Sequence, residues 1–255
     1  MIFFKKKGLF IFFSLFFTTN CIAQYGVRMI KCIQDSNITF PVFIGTDKSA
    51  EKEINEYLQT EFFETTMYQT GEPNIFDESR FISDDTQSQT GYTAISYHVE
   101  LNTPEILSVT FEIEGMGAYP TFHKRYFSFY SKTGRLISAE KIFTTEGLKT
   151  IVDILISSRK NKIQRWIKEL KIINGASYTE DSSFIDEKFA QCNEEADENS
   201  MYVGKESILF YKNDCFPHAW GPFEINLDIK LSFKKLENYL SSFGKKLLFT
   251  KQTDH

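Results

Sequence analysis

Residues 95–114, ISYHVELNTPEILSVTFEIE, decide the fold. Ile95, Tyr97, Val99 and Leu101 alternate with Ser96, His98 and Glu100. Leu107, Val109, Phe111 and Ile113 then alternate with Ser108, Thr110, Glu112 and Glu114. A strand sends successive side chains to opposite faces, so this period of two marks a strand with one face buried. The short turn Asn102-Thr103-Pro104-Glu105 between the runs predicts an antiparallel hairpin. Gly115-Met116-Gly117-Ala118-Tyr119-Pro120 breaks the alternation, and its glycines permit a tight reversal of the backbone. Phe122 to Tyr130 resumes the pattern as an aromatic strand. Ser131-Lys132-Thr133-Gly134 reads as a turn with glycine available for positive φ, leading into Arg135 to Ser138.

Upstream, Tyr25 to Ile33 and Asn37 to Ile44 read as two strands parted by Gln34-Asp35-Ser36, with Pro41 marking an edge strand. Ala50, Ile54, Tyr57, Leu58 and Phe62 recur at helical spacing behind Asp47 and Ser49 as candidate caps. Gln69 to Gly91 is polar and is expected to be a long loop.

Downstream, Leu148, Ile151, Val152, Leu155 and Ile156 predict a long helix from about Thr145, continued or restarted by Ile163, Trp166, Ile167 and Leu170. Arg159-Lys160-Asn161-Lys162 reads as its solvated face. Glu180 to Glu198 carries eight acids and one lysine without calcium-loop spacing, and reads as a solvated loop. Ser207 to Tyr211 and Phe223 to Ile229 read as strands, and a helix capped by Ser232 closes the chain. This order predicts an α+β fold: a mainly antiparallel sheet with packed helices. The strands from Tyr92 to Ser138 and from Ser207 to Ile229 are expected to share one sheet under the long helix. Three segments follow: 1–23 a signal peptide, 24–91 an N-terminal strand–helix subdomain with its polar loop, and 92–255 a larger sheet–helix domain.

Lys5-Lys6-Lys7, the apolar run Gly8 to Phe17 and the small residues around Ala23 have the layout of a secretory leader. The apolar run is too short for a membrane span, which needs roughly 20 residues. Cleavage after Ala23 leaves 232 residues at a net charge of −8, with no transmembrane segment, and an exported location is expected. Lipidation at Cys21 is the rival reading, but Thr18 and Asn20 occupy the positions where that processing prefers other residues. An acidic chain without a Lys/Arg cluster argues against nucleic acid as a partner. Cys32, Cys192 and Cys215 remain in the mature chain. Cys192 with Cys215 is the favoured disulfide, closing a loop of about 24 residues worth ~3 kcal/mol; three unpaired thiols are the alternative.

His98, His123, His218 and His255 share no metal-ligand spacing, and no Ser or Cys sits in a nucleophile-elbow turn. No metal, cofactor or catalytic residue is expected. Two loops dense in glycine and aromatic residues are instead the candidate ligand-binding rim: Gly115, Gly117 and Tyr119 with the neighbouring His123, and Phe216, His218, Trp220 and Gly221.

Four short motifs carry a resemblance over roughly residues 37–243. They are Phe40-Pro41-Val42 followed by Glu53-Ile54-Asn55; Leu107-Ser108-Val109 followed by Gly115 to Pro120; Lys132-Thr133-Gly134-Arg135-Leu136; and Pro217-His218-Ala219-Trp220-Gly221. Their order resembles the bacterial DUF4163/DUF3298-type envelope family, which includes the lysozyme-binding ectodomain of the anti-sigma factor RsiV and a non-catalytic region of a peptidoglycan deacetylase. Met116, Tyr119 and His218 depart from the usual Gly, His and Tyr. The resemblance implies an exported, non-catalytic binding module whose partner is an envelope protein, such as a lysozyme, or a peptidoglycan-related ligand. The alternatives are a small envelope hydrolase built on His123, His218 and nearby acids, and a structural accessory protein without a pocket.

Overall fold

In the computed structural model, residues 24–32, 36–77, 92–116, 120–174, 198–212 and 225–249, with 187 and 190, are described. Within them lie three antiparallel sheets and six α-helices, an α+β fold. Strands β1 (Tyr25–Lys31) and β2 (Thr39–Gly45) pair along their full length, Tyr25 opposite Gly45 and Lys31 opposite Thr39. Helix α1 (Lys48–Phe63) starts where Asp47 accepts hydrogen bonds from the amides of Ser49 and Ala50, as its position before the apolar stripe predicts. Ala50, Ile54, Leu58 and Phe62 form its buried stripe.

The decisive hairpin is present with a third strand beside it: β3 (Tyr92–Asn102), β4 (Ile106–Met116) and β5 (Pro120–Tyr130), in that order. Strands β4 and β5 run longer than the pattern predicts. Gly115 is no turn residue but lies in the ladder between Tyr92 and Thr121, and Met116 pairs with Pro120. Gly134 does adopt φ +72°, and a Cβ there would strike the Ala50 carbonyl, so a glycine lets the turn press against α1.

One core joins β1, β2 and α1 to the face of the meander that carries Ile95, Val109, Phe111, Ile113, Phe127 and Phe129. Phe40, Phe62 and Phe111 interlock there with ring centroids 4.6–5.2 Å apart. The expected polar loop contributes to this core. Thr66 and Gln69 form a capping box at α2 (Met67–Thr70), and the following 3-10 turn, Ile75–Asp77, buries Ile75 and Phe76. Residues 78–91 lie outside the described residues.

The second core gathers around β6 (Met201–Val203), β7 (Ser207–Phe210) and β8 (Ile229–Ser232). These strands do not share a sheet with β3–β5, which corrects the single-sheet expectation. The short helix α3 (Ala139–Ile142) and the long α4 (Thr145–Asn174) set Ala139, Ile142, Ile151 and Leu155 into this second core. Strand β8 begins only at Ile229; Leu227 and Asp228 before it are in no strand. The expected closing helix is three pieces: α5 (Phe233–Leu236) with its Ser232 cap, a 3-10 turn at Glu237–Tyr239, and α6 (Ser242–Phe249).

Part of the basic stretch on α4 is not solvated. Arg159 is 1% exposed; its Nε and Nη2 donate to the carbonyls of Leu227 and Tyr211, each at 3.3 Å. Lys162 Nζ donates to the carbonyls of Asn226 and Asp228. Together they hold the segment that enters β8 and the one that leaves β7.

Candidate functional site

The register of the meander places its even-numbered β4 and β5 residues on the face away from α1. Ser108 lies opposite Ser128, Thr110 opposite Tyr126, Glu112 opposite Lys124, and Glu114 opposite Phe122. The second sheet covers only the first two of these rows. Ser108 Oγ donates to the Val203 carbonyl at 2.7 Å, and the Val203 amide donates to Ser128 Oγ at 2.9 Å. The two hydroxyls are 2.9 Å apart. Since the Ser108 proton is already committed, Ser128 donates to Ser108, and every group in this buried set is satisfied.

At the Thr110 row stands a wall of tyrosines. Tyr126 packs on Tyr202 at 5.4 Å and on Tyr211 at 5.0 Å between ring centroids. Burial pushes the Tyr202 hydroxyl up to about 12, and burial likewise raises that of Tyr126. Both stay protonated at neutral pH.

Beyond this wall the face is open. Lys124 Nζ donates to Glu112 Oε1 at 2.6 Å, and this hydrogen bond lowers the Glu112 carboxyl and raises the Lys124 ammonium. Past the ion pair, Phe122 is 72% exposed and Met116 58%. His98 continues the face onto β3, its Nε2 at 3.6 Å from Glu100. The open rows therefore present a neutralised ion pair framed by two large apolar side chains.

Of the expected rim residues, two are described. Gly115 is half-buried within β4, and His123, opposite Ile113, lies on the other face of the sheet from Glu112 and Glu114. Arg125, on that same face as His123, reaches α1: Nη1 donates to the Glu61 carboxylate at 3.0 Å. Gly117, Tyr119, Phe216, His218, Trp220 and Gly221 lie outside the described residues, as do Cys192 and Cys215, and so does the leader including Cys21. Cys32 is a half-buried free thiol packed against the first core. Sequence reasoning missed Met116, Phe122 and Lys124 as surface features. The signal for them was parity: counted across the hairpin, they fall on the face of Ser108 rather than that of Phe111.

Among the described residues, no three or more His, Cys, Asp or Glu gather as a metal-ligand set, and no helix is long and apolar enough to cross a membrane.

Among solved structures, a DUF3298 family protein from Bacteroides fragilis has a similar fold. It is 16% identical, with 90% of this chain and 97% of that chain covered and a TM-score of 0.51. A DUF3298 family protein from Pseudomonas aeruginosa aligns at 9% identity over 87% of this chain and 94% of that one, with a TM-score of 0.46. The chain thus has a DUF3298-type fold. No family model and no curated protein matches its sequence.

Proposed function

We propose that the chain is an exported binding module without covalent chemistry, holding a protein partner of the lysozyme kind or a cell-wall ligand on the open rows of the β3–β5 face. The observation that carries this reading is the exposure of Phe122 and Met116 beside the Glu112–Lys124 pair. Large exposed apolar side chains cost free energy in water, and grouped ones mark surfaces that become covered. An ion pair at the rim of such a patch adds register and on-rate more than affinity. The basic, apolar and small-residue layout of residues 1–23 supports export. Tyr119 and Trp220 remain proposed members of the same rim, as aromatic residues suited to interfaces.

The test is titration of the full chain with lysozyme and, separately, with solubilised peptidoglycan fragments. Phe122→Ser with Met116→Ser should leave the melting temperature nearly unchanged, since both side chains are exposed, while weakening the bound ligand at least tenfold. Binding of neither ligand by the unaltered chain, or equal binding by the double variant, would overturn the proposal.

A further inference from the structure

A cleft of about 650 Å³ opens between the turn after β5, helix α3 and the start of α6. Its lining is Tyr130, Thr133, Arg135, Lys141, Ser241, Ser242 and Phe243. None of these is acidic, in a chain with five more acids than bases. Arg135 and Lys141 are exposed, and neither side chain has an ion-pair partner among the described residues. The Glu105 carboxylate is already bound by Lys132 at 2.7 Å.

The rest of the lining is hydroxyl and ring. Tyr130 and Phe243 meet edge to face, with centroids 5.6 Å apart. Ser241 is committed to the backbone: its Oγ donates to the Lys141 carbonyl at 2.6 Å and accepts from the Gly244 amide at 2.9 Å. This ties α6 to α3 and fixes the cleft wall. Thr133, whose Oγ1 accepts from the Arg135 amide at 3.5 Å, and Ser242 complete the lining.

We infer that this cleft binds an acidic saccharide, its carboxylate held by Arg135 and Lys141, its hydroxyls by Thr133 and Ser242, and its apolar ring face by Tyr130 and Phe243. A guanidinium presents two parallel N–H donors to a carboxylate, and an ammonium adds a second charge. The volume lies in the range of small-ligand sites. A peptide is the less suited occupant, because peptides often add to a sheet through an open strand edge. Here that edge is closed: the Tyr130 amide donates to the Arg135 carbonyl and the Ile137 amide to the Ser128 carbonyl, both at 2.8 Å.

The site shares no residue with the open β3–β5 rows, so the inference stands or falls apart from the proposed binding module. The full chain is titrated by calorimetry with tetragalacturonate, with the neutral tetrasaccharide maltotetraose, with inorganic phosphate, and with a tetrapeptide bearing a free C-terminal carboxylate. Tetragalacturonate should bind at least tenfold more tightly than the other three. Arg135→Ala with Lys141→Ala should weaken it at least tenfold and remove its salt dependence, with the melting temperature and any binding at Phe122 unchanged. Phe243→Ala should weaken tetragalacturonate several-fold. Absence of tetragalacturonate binding, equal affinity for maltotetraose, phosphate or the tetrapeptide, or indifference to the Arg135 and Lys141 substitutions would overturn the inference.

Discussion

Asn55 on α1 holds both backbone groups of Phe43 on β2. Its Oδ1 accepts the Phe43 amide at 2.9 Å, and its Nδ2 donates to the Phe43 carbonyl at 2.8 Å and to the Glu51 carbonyl at 2.9 Å. A side-chain amide thereby supplies what a neighbouring strand would have supplied, and the helix is locked to the outer edge of β2. Only an amide offers a donor and an acceptor in that plane.

Asn55→Ala should therefore cost about 3 kcal/mol, because it leaves a buried amide and a buried carbonyl unpaired. Asn55→Asp should also destabilise, since it keeps the acceptor but places a charge in the core and loses the donor. Urea denaturation checks both. A loss below about 0.5 kcal/mol for Asn55→Ala would mean that water replaces the side chain.

The serine pair between the sheets predicts non-additivity. Ser108→Ala strands the Val203 carbonyl and Ser128→Ala its amide, each at a cost of about 1–2 kcal/mol. Because the two hydroxyls bond each other, the double variant should differ from the sum of the singles by about 0.5 kcal/mol or more. Simple additivity in a denaturation cycle would show that the hydroxyls act independently.

Arg159 predicts a graded series. Arg159→Ala removes the donors to Leu227 and Tyr211 and leaves a void, and should cost about 3 kcal/mol or more. Arg159→Lys should fall between it and the parent, because a single ammonium cannot span two carbonyls in the geometry of the fork. Melting curves that rank lysine no better than alanine would show that the positive charge contributes nothing there.

Alkaline pH should destabilise the fold. Burial, helped by the charges of Asp47 and Glu51, pushes the Tyr25 hydroxyl up to about 12, and burial does the same for Tyr202. Each holds its proton more tightly folded than unfolded, where the ordinary value is 10.0. The resulting stabilisation is complete below pH 10 and is lost as pH rises towards 12. Tyrosinate absorbance and the denaturation midpoint, followed together between pH 9 and 12, test this. A midpoint that stays level to pH 12 would contradict it. Tyr25→Phe should flatten part of the decline and, by losing the bond to the Ser131 carbonyl, cost about 1 kcal/mol at neutral pH.

Several residues that carried the sequence resemblance are joints between elements. Ser108 docks the second sheet, Asn55 clips α1 to β2, and Gly134 lets a turn meet α1. They were legible as a pattern but not as hydrogen bonds. Ser108 illustrates why: alternation assigns it to a polar outer face, which is correct, yet β6 then buries that position completely.

Periodicity is a local consequence of burying one face of a strand or helix, so the chain's own order determined the β3–β5 meander, the Asp47-capped helix and the long helix from Thr145. It also determined the α+β class. How the sheets and the long helix dock on one another was decided only by the tertiary structure, through contacts such as Ser108 with Val203 and Arg159 with Leu227, 95 and 68 residues apart. So were the core role of Ile75 and Phe76 and the cleft that joins Tyr130 to Phe243. Such contacts depend on shape and on the need to satisfy every buried polar group at once, and no window of neighbouring residues encodes that requirement.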